Sequence, residues 1–278
     1  MTAEDLLKQG DLDAALSALQ ESIRKSPQDA RLRVFLFQLL CIQGDWTRAI
    51  MQLKTCATLD PAARTMAQMY REAIICEVHR EKVFSGQHIP LIFGKPQDWI
   101  AWLVQAIKLQ AQGDVSAAYD LRAKAFDAAP TISGTLNGTA FNWIADADPR
   151  LGPILEIIVD GKYFWVPFTA IHRIVIEPPA DLRDAVWTPA TITWSNGGDG
   201  IVLIPTRYVG SVQSRDPSYM LSRATGWSGD GDNVQAGLGQ RMLVSDMQDF
   251  ALLDIREMAL GDAPVVADDL DIPVSHHG

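Results

Sequence analysis

Asp146 and Asp148 stand two residues apart beside Pro149, a spacing that could serve a general acid and base pair. Alternate positions next to a proline suit a turn or a cap better, with Arg150 pairing one carboxylate at a hinge between domains. Arg183, Asp184, Arg207 and Tyr208 place charged and aromatic groups beside strand-like runs, chemistry that either anchors a partner or makes a buried ion pair. Cys76 and His79 share a helix flank, but nothing marks a third group to orient them, so the pairing reads as incidental. His79, His88, His172, His276 and His277 form no HxxxH or HExxH pattern, and His276-His277 reads as a solvated end rather than a metal site. Asp230-Gly231-Asp232-Asn233 has the look of a calcium loop, yet Arg241 stands where the closing glutamate belongs. Gly197-Gly198-Asp199-Gly200 lacks the strand–turn–helix setting that cradles phosphate, and the chain has neither GxxxxGK[ST] nor GxSxG. The expectation is a protein without catalysis, cofactor or metal.

What remains is a binding surface, and the elements that would build it come next. The chain has 278 residues, with 24 basic and 34 acidic side chains and a net charge of −10, which argues against a nucleic-acid partner. A 47% hydrophobic content is enough for a real core. Residues 1–150 carry 16 basic and 17 acidic side chains, whereas residues 151–278 carry 8 and 17, so the negative charge belongs to the second half. Cys41, Cys56 and Cys76 cannot make a disulfide framework and read as buried thiols in a reducing compartment. The N-terminal MTAEDLLKQGD has no apolar signal region, and the apolar run at 34–42 is too short to span a bilayer. No membrane association and a cytoplasmic location are expected.

The first half repeats. Gly10-Asp11-Leu12-Asp13-Ala14-Ala15 returns as Gly44-Asp45-Trp46-Thr47-Arg48-Ala49 and as Gly113-Asp114-Val115-Ser116-Ala117-Ala118. Pro27, Pro61 and Pro130 follow at a constant distance from the glycines. The physics is that of a helix hairpin: Gly ends one helix, Asp caps the next, small alanines let the two approach, and proline closes the second. The period resembles that of the tetratricopeptide repeat. Residues 62–84 read as one long helix followed by a loop through Gly86 and Gly94. A further helix starts near Asp98 as its cap, so the array is interrupted in the middle. Repeat arrays leave a concave wall. Arg31, Val34, Gln38 and Cys41 are the candidates to line it, with Val34 and Cys41 equally readable as plain core, and Trp102 supplies the third unit's large aromatic.

Past residue 150 the texture turns to Val, Ile, Thr, Trp, Pro and Gly. Two strands around Asp160-Gly161 make a type I′ hairpin. A third strand at 171–176 stops at Pro178-Pro179, and a second hairpin surrounds 195–199. Residues 245–258 suit a short helix or a closing strand. The predicted fold is α+β: a tetratricopeptide-like helical domain at 1–132, a helical hinge at 133–152, a smaller, mainly antiparallel β domain at 153–262 and an acidic flexible tail at 263–278. Trp99, Trp102, Trp143, Trp165, Trp187, Trp194 and Trp227, seven of the eight tryptophans, read mostly as core, with one or two as exposed anchors.

Four stretches carry a family resemblance: Phe141-Asn142-Trp143-Ile144-Ala145-Asp146-Ala147-Asp148-Pro149-Arg150-Leu151-Gly152-Pro153; Gly161-Lys162-Tyr163-Phe164-Trp165-Val166-Pro167-Phe168; Asp181-Leu182-Arg183-Asp184-Ala185-Val186-Trp187-Thr188-Pro189-Ala190; and Ile204-Pro205-Thr206-Arg207-Tyr208. In order and over nearly the whole chain, they resemble the ImpE/TagJ family, the SciE-type accessory proteins of bacterial type VI secretion. Val209 departs from it, standing where a proline is expected before Gly210. The resemblance implies a non-catalytic cytoplasmic adaptor that binds the N-terminal amphipathic helix of the small sheath subunit. It also implies a link to the AAA+ ATPase that recycles contracted sheath. Arg31, Val34, Gln38, Cys41, Trp102, Arg183, Arg207 and Tyr208 are the candidate contact residues. A general repeat scaffold for another client is the alternative, and an enzyme assembled around Asp184, Arg207 and Tyr208 is a third class. A β-domain edge that accepts an added strand, or an acidic face that receives a basic segment, is the alternative surface.

Overall fold

The computed structural model describes residues 1–95, 97–229 and 236–261. The acidic tail at 263–278, with His276 and His277, and the Asp230-Gly231-Asp232-Asn233 run lie outside the described residues.

The helices are α1 (Ala3–Lys8), α2 (Leu12–Lys25), α3 (Ala30–Ile42), α4 (Trp46–Leu59) and α5 (Arg64–Phe84), then α6 (Asp98–Ala111) and α7 (Val115–Ala128) after a short strand β1 (Leu91–Ile92). Each Gly-Asp pair makes the same turn. Gly10, Gly44 and Gly113 have φ of +82°, +70° and +88°, backbone that a side chain resists. The next residue's carboxylate then accepts an N–H of the new helix: Asp11 from Ala14 at 3.0 Å, Asp45 from Arg48 at 3.2 Å, Asp114 from Ala117 at 3.2 Å. Ala15, Ala49 and Ala118 have no exposed surface, so the paired helices meet backbone to backbone. The long helix anticipated at 62–84 is α5, entered through a 3₁₀ turn at Pro61–Ala63. Asp98 is the first residue of α6 rather than its cap. Gln97 takes the cap position, and the Asp98 carboxylate favours the helix N-terminus through the dipole instead.

The anticipated helical hinge is corrected. Residues 133–152 hold three strands, β2 (Gly134–Leu136), β3 (Thr139–Phe141) and β4 (Ile144–Asp146), followed by a tight turn. Asn137-Gly138 has φ of +48° and +83°, a two-residue hairpin turn that a helix cannot contain. The remaining strands are β5 (Ile154–Val159), β6 (Lys162–Pro167), β7 (Ile171–Ile176), β8 (Trp187–Trp194) and β9 (Asp199–Pro205). A one-turn helix α8 (Pro217–Met220) precedes β10 (Thr225–Ser228), β11 (Ala236–Gly239), β12 (Met242–Ser245), β13 (Asp249–Ala251) and β14 (Glu257–Leu260). The stretch at 245–258 therefore supplies strands, and β14 is the closing one.

Among the described residues the main sheet runs β1-β6-β5-β9-β8-β7-β14-β2-β3, antiparallel except for the β1–β6 pair. β1 and β2 bring residues from before 153 into it, so the sheet starts earlier than the sequence suggests. β4, β12 and β13 form a three-stranded sheet. Pro189 sits in β8 opposite Leu203 of β9, and the β7 ladder begins only at Ala190, so its missing N–H breaks no pairing on that side.

The β5–β6 hairpin separates two cores by simple alternation. Ile154, Ile158, Tyr163 and Trp165 join a core built mainly from the helices, with Phe37, Tyr70, Ile74 and Leu103. Leu155, Ile157 and Val166 join a second core with Leu243, Phe250 and Leu252. β5 is thus covered on both faces, which is why it reads as an almost continuous apolar run. Glu156, the one charge in that run, falls on the helix side.

Candidate docking surface and the charge network behind it

α3 is apolar on nearly every side, so its C-terminal half is wholly enclosed, from Leu36 to Ile42. The last carbonyls of such a helix need donors. Arg207 provides them from across the chain: its guanidinium donates to the carbonyls of Cys41 at 2.8 Å and Ile42 at 2.9 Å, and to that of Met220 at 2.7 Å. A cation at this position also complements the helix dipole. Burial lowers the Arg207 pKa to about 10, still well charged near neutrality. The same enclosure drives the Cys41 thiol upward, far from nucleophilic.

The N-terminal half of α3 is open. Arg31 is exposed, Val34 and Phe35 are half-buried, and the groove they floor measures about 440 Å³. Glu4 of α1, Asp60 after α4 and Asp181 from the β region rim it. α1 and α3 are the first helices of successive hairpins, the wall a repeat array turns inward. Gln38 closes the far end, donating its amide to Asp181 at 3.2 Å. Arg183 pairs with Asp181 and lies over the Tyr70 ring at 4.6 Å. The stretch around 181–185 therefore occupies part of the wall that the bare repeats would offer.

The candidate contact residues separate accordingly. Arg31 and Val34 share the open groove, and Gln38 and Arg183 stand at its closed end. Trp102 is elsewhere, half-buried between α6 and α7 with the Lys124 ammonium 3.9 Å over its ring. Cys41, Arg207 and Tyr208 are interior residues, 0%, 3% and 2% exposed, so as contact residues they are corrected: their polar groups face the protein itself. Tyr208 donates to Asp146 at 2.9 Å and accepts from the Met242 N–H at 2.9 Å.

Behind this wall lies a network that sequence reasoning missed. Arg80 of α5 donates to both oxygens of Glu156 at 2.7 and 2.9 Å and to Glu77 at 2.7 Å. Arg241 joins Glu156 to Asp146, and Tyr163 donates to Glu156 as well. Trp187 donates its indole N–H to Glu77 at 3.2 Å. Burial alone would raise the Glu156 pKa, but the Arg80 and Arg241 guanidinium groups hold it at about 2. Asp146 loses its hydration too, and that outweighs the opposing pull of the Arg241 guanidinium, so it is pushed up to about 6. Asp148 accepts from the Arg150 side chain and from the Gly237 N–H at 2.9 Å, an ion pair at the turn. These carboxylates and guanidinium groups satisfy one another across the helix–sheet junction. Trp143, with Phe126 and Trp227, borders a separate apolar groove of about 540 Å³. Phe126, Trp143 and Trp227 are 37%, 40% and 43% exposed.

Among the described residues, no three or more His, Cys, Asp or Glu side chains are grouped to hold a metal ion, and no helix is long and apolar enough to cross a membrane.

Comparison with known proteins adds three findings. Residues 138–259 match the model of the family described as ImpE protein, and residues 6–70 match a tetratricopeptide repeat model. The chain is 48% identical over 258 residues to the type VI secretion system accessory component TagJ of Pseudomonas aeruginosa, covering 93% of this chain and 90% of that protein. Its fold is similar to the X-ray crystal structure of protein VPA1032 from Vibrio parahaemolyticus, with a TM-score of 0.85 at 27% identity, covering 94% of this chain and 98% of that one.

Proposed function

The chain belongs to the ImpE/TagJ family, and from that membership we infer that it serves type VI secretion as an accessory component in the cytoplasm, binding protein partners without catalysis. The small sheath subunit is the partner we assign, through its amphipathic N-terminal helix. One observation carries the reading: the open groove at Arg31, Val34 and Phe35, apolar on its floor and charged on its rim. An amphipathic helix needs those two properties together, an apolar seat for its buried stripe and charges for its edges. Arg31 would meet an acidic position of the helix, and Glu4, Asp60 and Asp181 its basic positions. Trp102 and Lys124 lie on a separate face, which leaves room for a second partner such as the sheath-recycling AAA+ ATPase.

Calorimetric titration of the full chain with a synthetic peptide of the sheath subunit's N-terminal helix tests this. Saturable binding is expected, weakened about tenfold or more by Val34→Asp, which corresponds to about 1.4 kcal/mol. Lys124→Glu, on the other face, is expected to leave it unchanged. Absence of binding would point to a general repeat scaffold with another client, and equal binding by Val34→Asp would move the helix's seat away from this groove.

A further inference from the structure

The apolar groove bordered by Phe126, Trp143 and Trp227 is distinct from the helical groove at Arg31 and serves no role in the reading above. Three large aromatic side chains exposed together beside Pro130, Pro149 and Pro153 form a patch of the kind that is ordinarily covered. The described chain ends close to it. β14 pairs with β2, and Gly261 immediately after it donates its N–H to the Ser133 carbonyl at 2.9 Å. Thr131, two residues before Ser133, lines the groove. Gly261, the last described residue, therefore lies close to the groove's rim. The first apolar stretch beyond it, Ala263-Pro264-Val265-Val266-Ala267, needs no linker to reach the groove.

Length and chemistry agree with the position. Five extended residues span about 17 Å. Proline favours the extended left-handed conformation that aromatic-walled grooves receive, and valines fill the apolar floor. Asp268, Asp269 and Asp271 follow directly, so the charged part of the segment need not enter. A tethered segment also holds an advantage over a free peptide or a second copy, because its effective concentration at the groove is in the millimolar range.

We propose that the C-terminal stretch Ala263–Ala267 seats in the groove of Phe126, Trp143 and Trp227, as an intramolecular cover for that surface. Hydrogen–deuterium exchange on the full chain tests it, with the synthetic peptide 262–278 as reference. The amides of 265–267 are expected to exchange about tenfold or more slowly than in the free peptide. The double variant Val265→Asp, Val266→Asp is expected to abolish that protection and to raise uptake at 143–153, with an unchanged melting temperature. Exchange of 265–267 at the free-peptide rate in the unaltered chain overturns the proposal. So does groove uptake that the double variant leaves unchanged. Protection that disappears on tenfold dilution assigns the groove to a second copy and overturns it as well.

Discussion

Glu156 has no exposed surface, yet two guanidinium groups from opposite sides of the chain, Arg80 and Arg241, hold it ionised. Removing that charge leaves both cations short of a partner in a low-dielectric interior, so Glu156→Gln should cost about 3–5 kcal/mol near neutrality. The sign with pH follows from its folded value of about 2 against an ordinary 4.5. Its stabilisation is complete above about pH 4.5 and is lost as pH falls through about 2. Asp146 runs the other way. Its folded value of about 6 exceeds the ordinary 3.8, so its contribution is complete below about pH 3.8 and is lost as pH rises through about 6. Urea unfolding of the wild type and Glu156→Gln from pH 2 to 7 should show a gap that narrows on the acid side. A gap independent of pH would remove Glu156 from the ionised network. None of this was legible in the chain: Arg80, Asp146, Glu156 and Arg241 share no motif, and only tertiary packing, α5 against the β5–β6 hairpin and β4 beside β12 and β5, brings them together.

Helix hairpins were legible because their signals are local. A glycine with positive φ, an acidic cap and a closing proline act within a few residues, and they did so three times. The turns nevertheless differ in what surrounds them. A Cβ on Gly44 would stand 2.8 Å from Val212 Cγ1, whereas one on Gly113 would meet open space. Gly113→Ala should therefore cost about 1 kcal/mol from backbone strain alone. Gly44→Ala should cost about 1–2 kcal/mol more, because it also overpacks the contact between α3 and the β region. Urea midpoints separate the two, and equal losses would show that Val212 yields freely. The element misread, at 133–152, carried a local signal as well. Asn137-Gly138 is a hairpin turn of the same kind as Asp160-Gly161, but the strands on either side are three residues long and show no extended alternation.

At the scale of the molecule, the boundary between helical and β regions is a packing interface. A single core includes Leu19 of α2, Phe37 of α3, Ile100 of α6, Trp165 of β6 and Trp187 of β8. Arg207 caps α3 from the far side of that interface, and Arg80 reaches from α5 into the sheet. Regions so joined should unfold together. Far-UV circular dichroism and tryptophan fluorescence should give superimposable urea transitions; two resolved transitions would mean the helical repeats stand on their own. The same union limits function. The 181–185 stretch fills the closed end of the repeat wall and leaves the α1 end of the groove open.

The α+β fold, the helix hairpins, the Asp160-Gly161 strand pair and the family resemblance could all be read from the residues, because capping, turn chemistry and hydrophobic period operate between near neighbours. Which candidate contact residues reach solvent was decided only by tertiary packing. Cys41, Arg207 and Tyr208 sit in the same kinds of local sequence as exposed residues do. They are interior because the β region closes over α3, and burial is a property of distant segments meeting, which no short stretch of sequence contains.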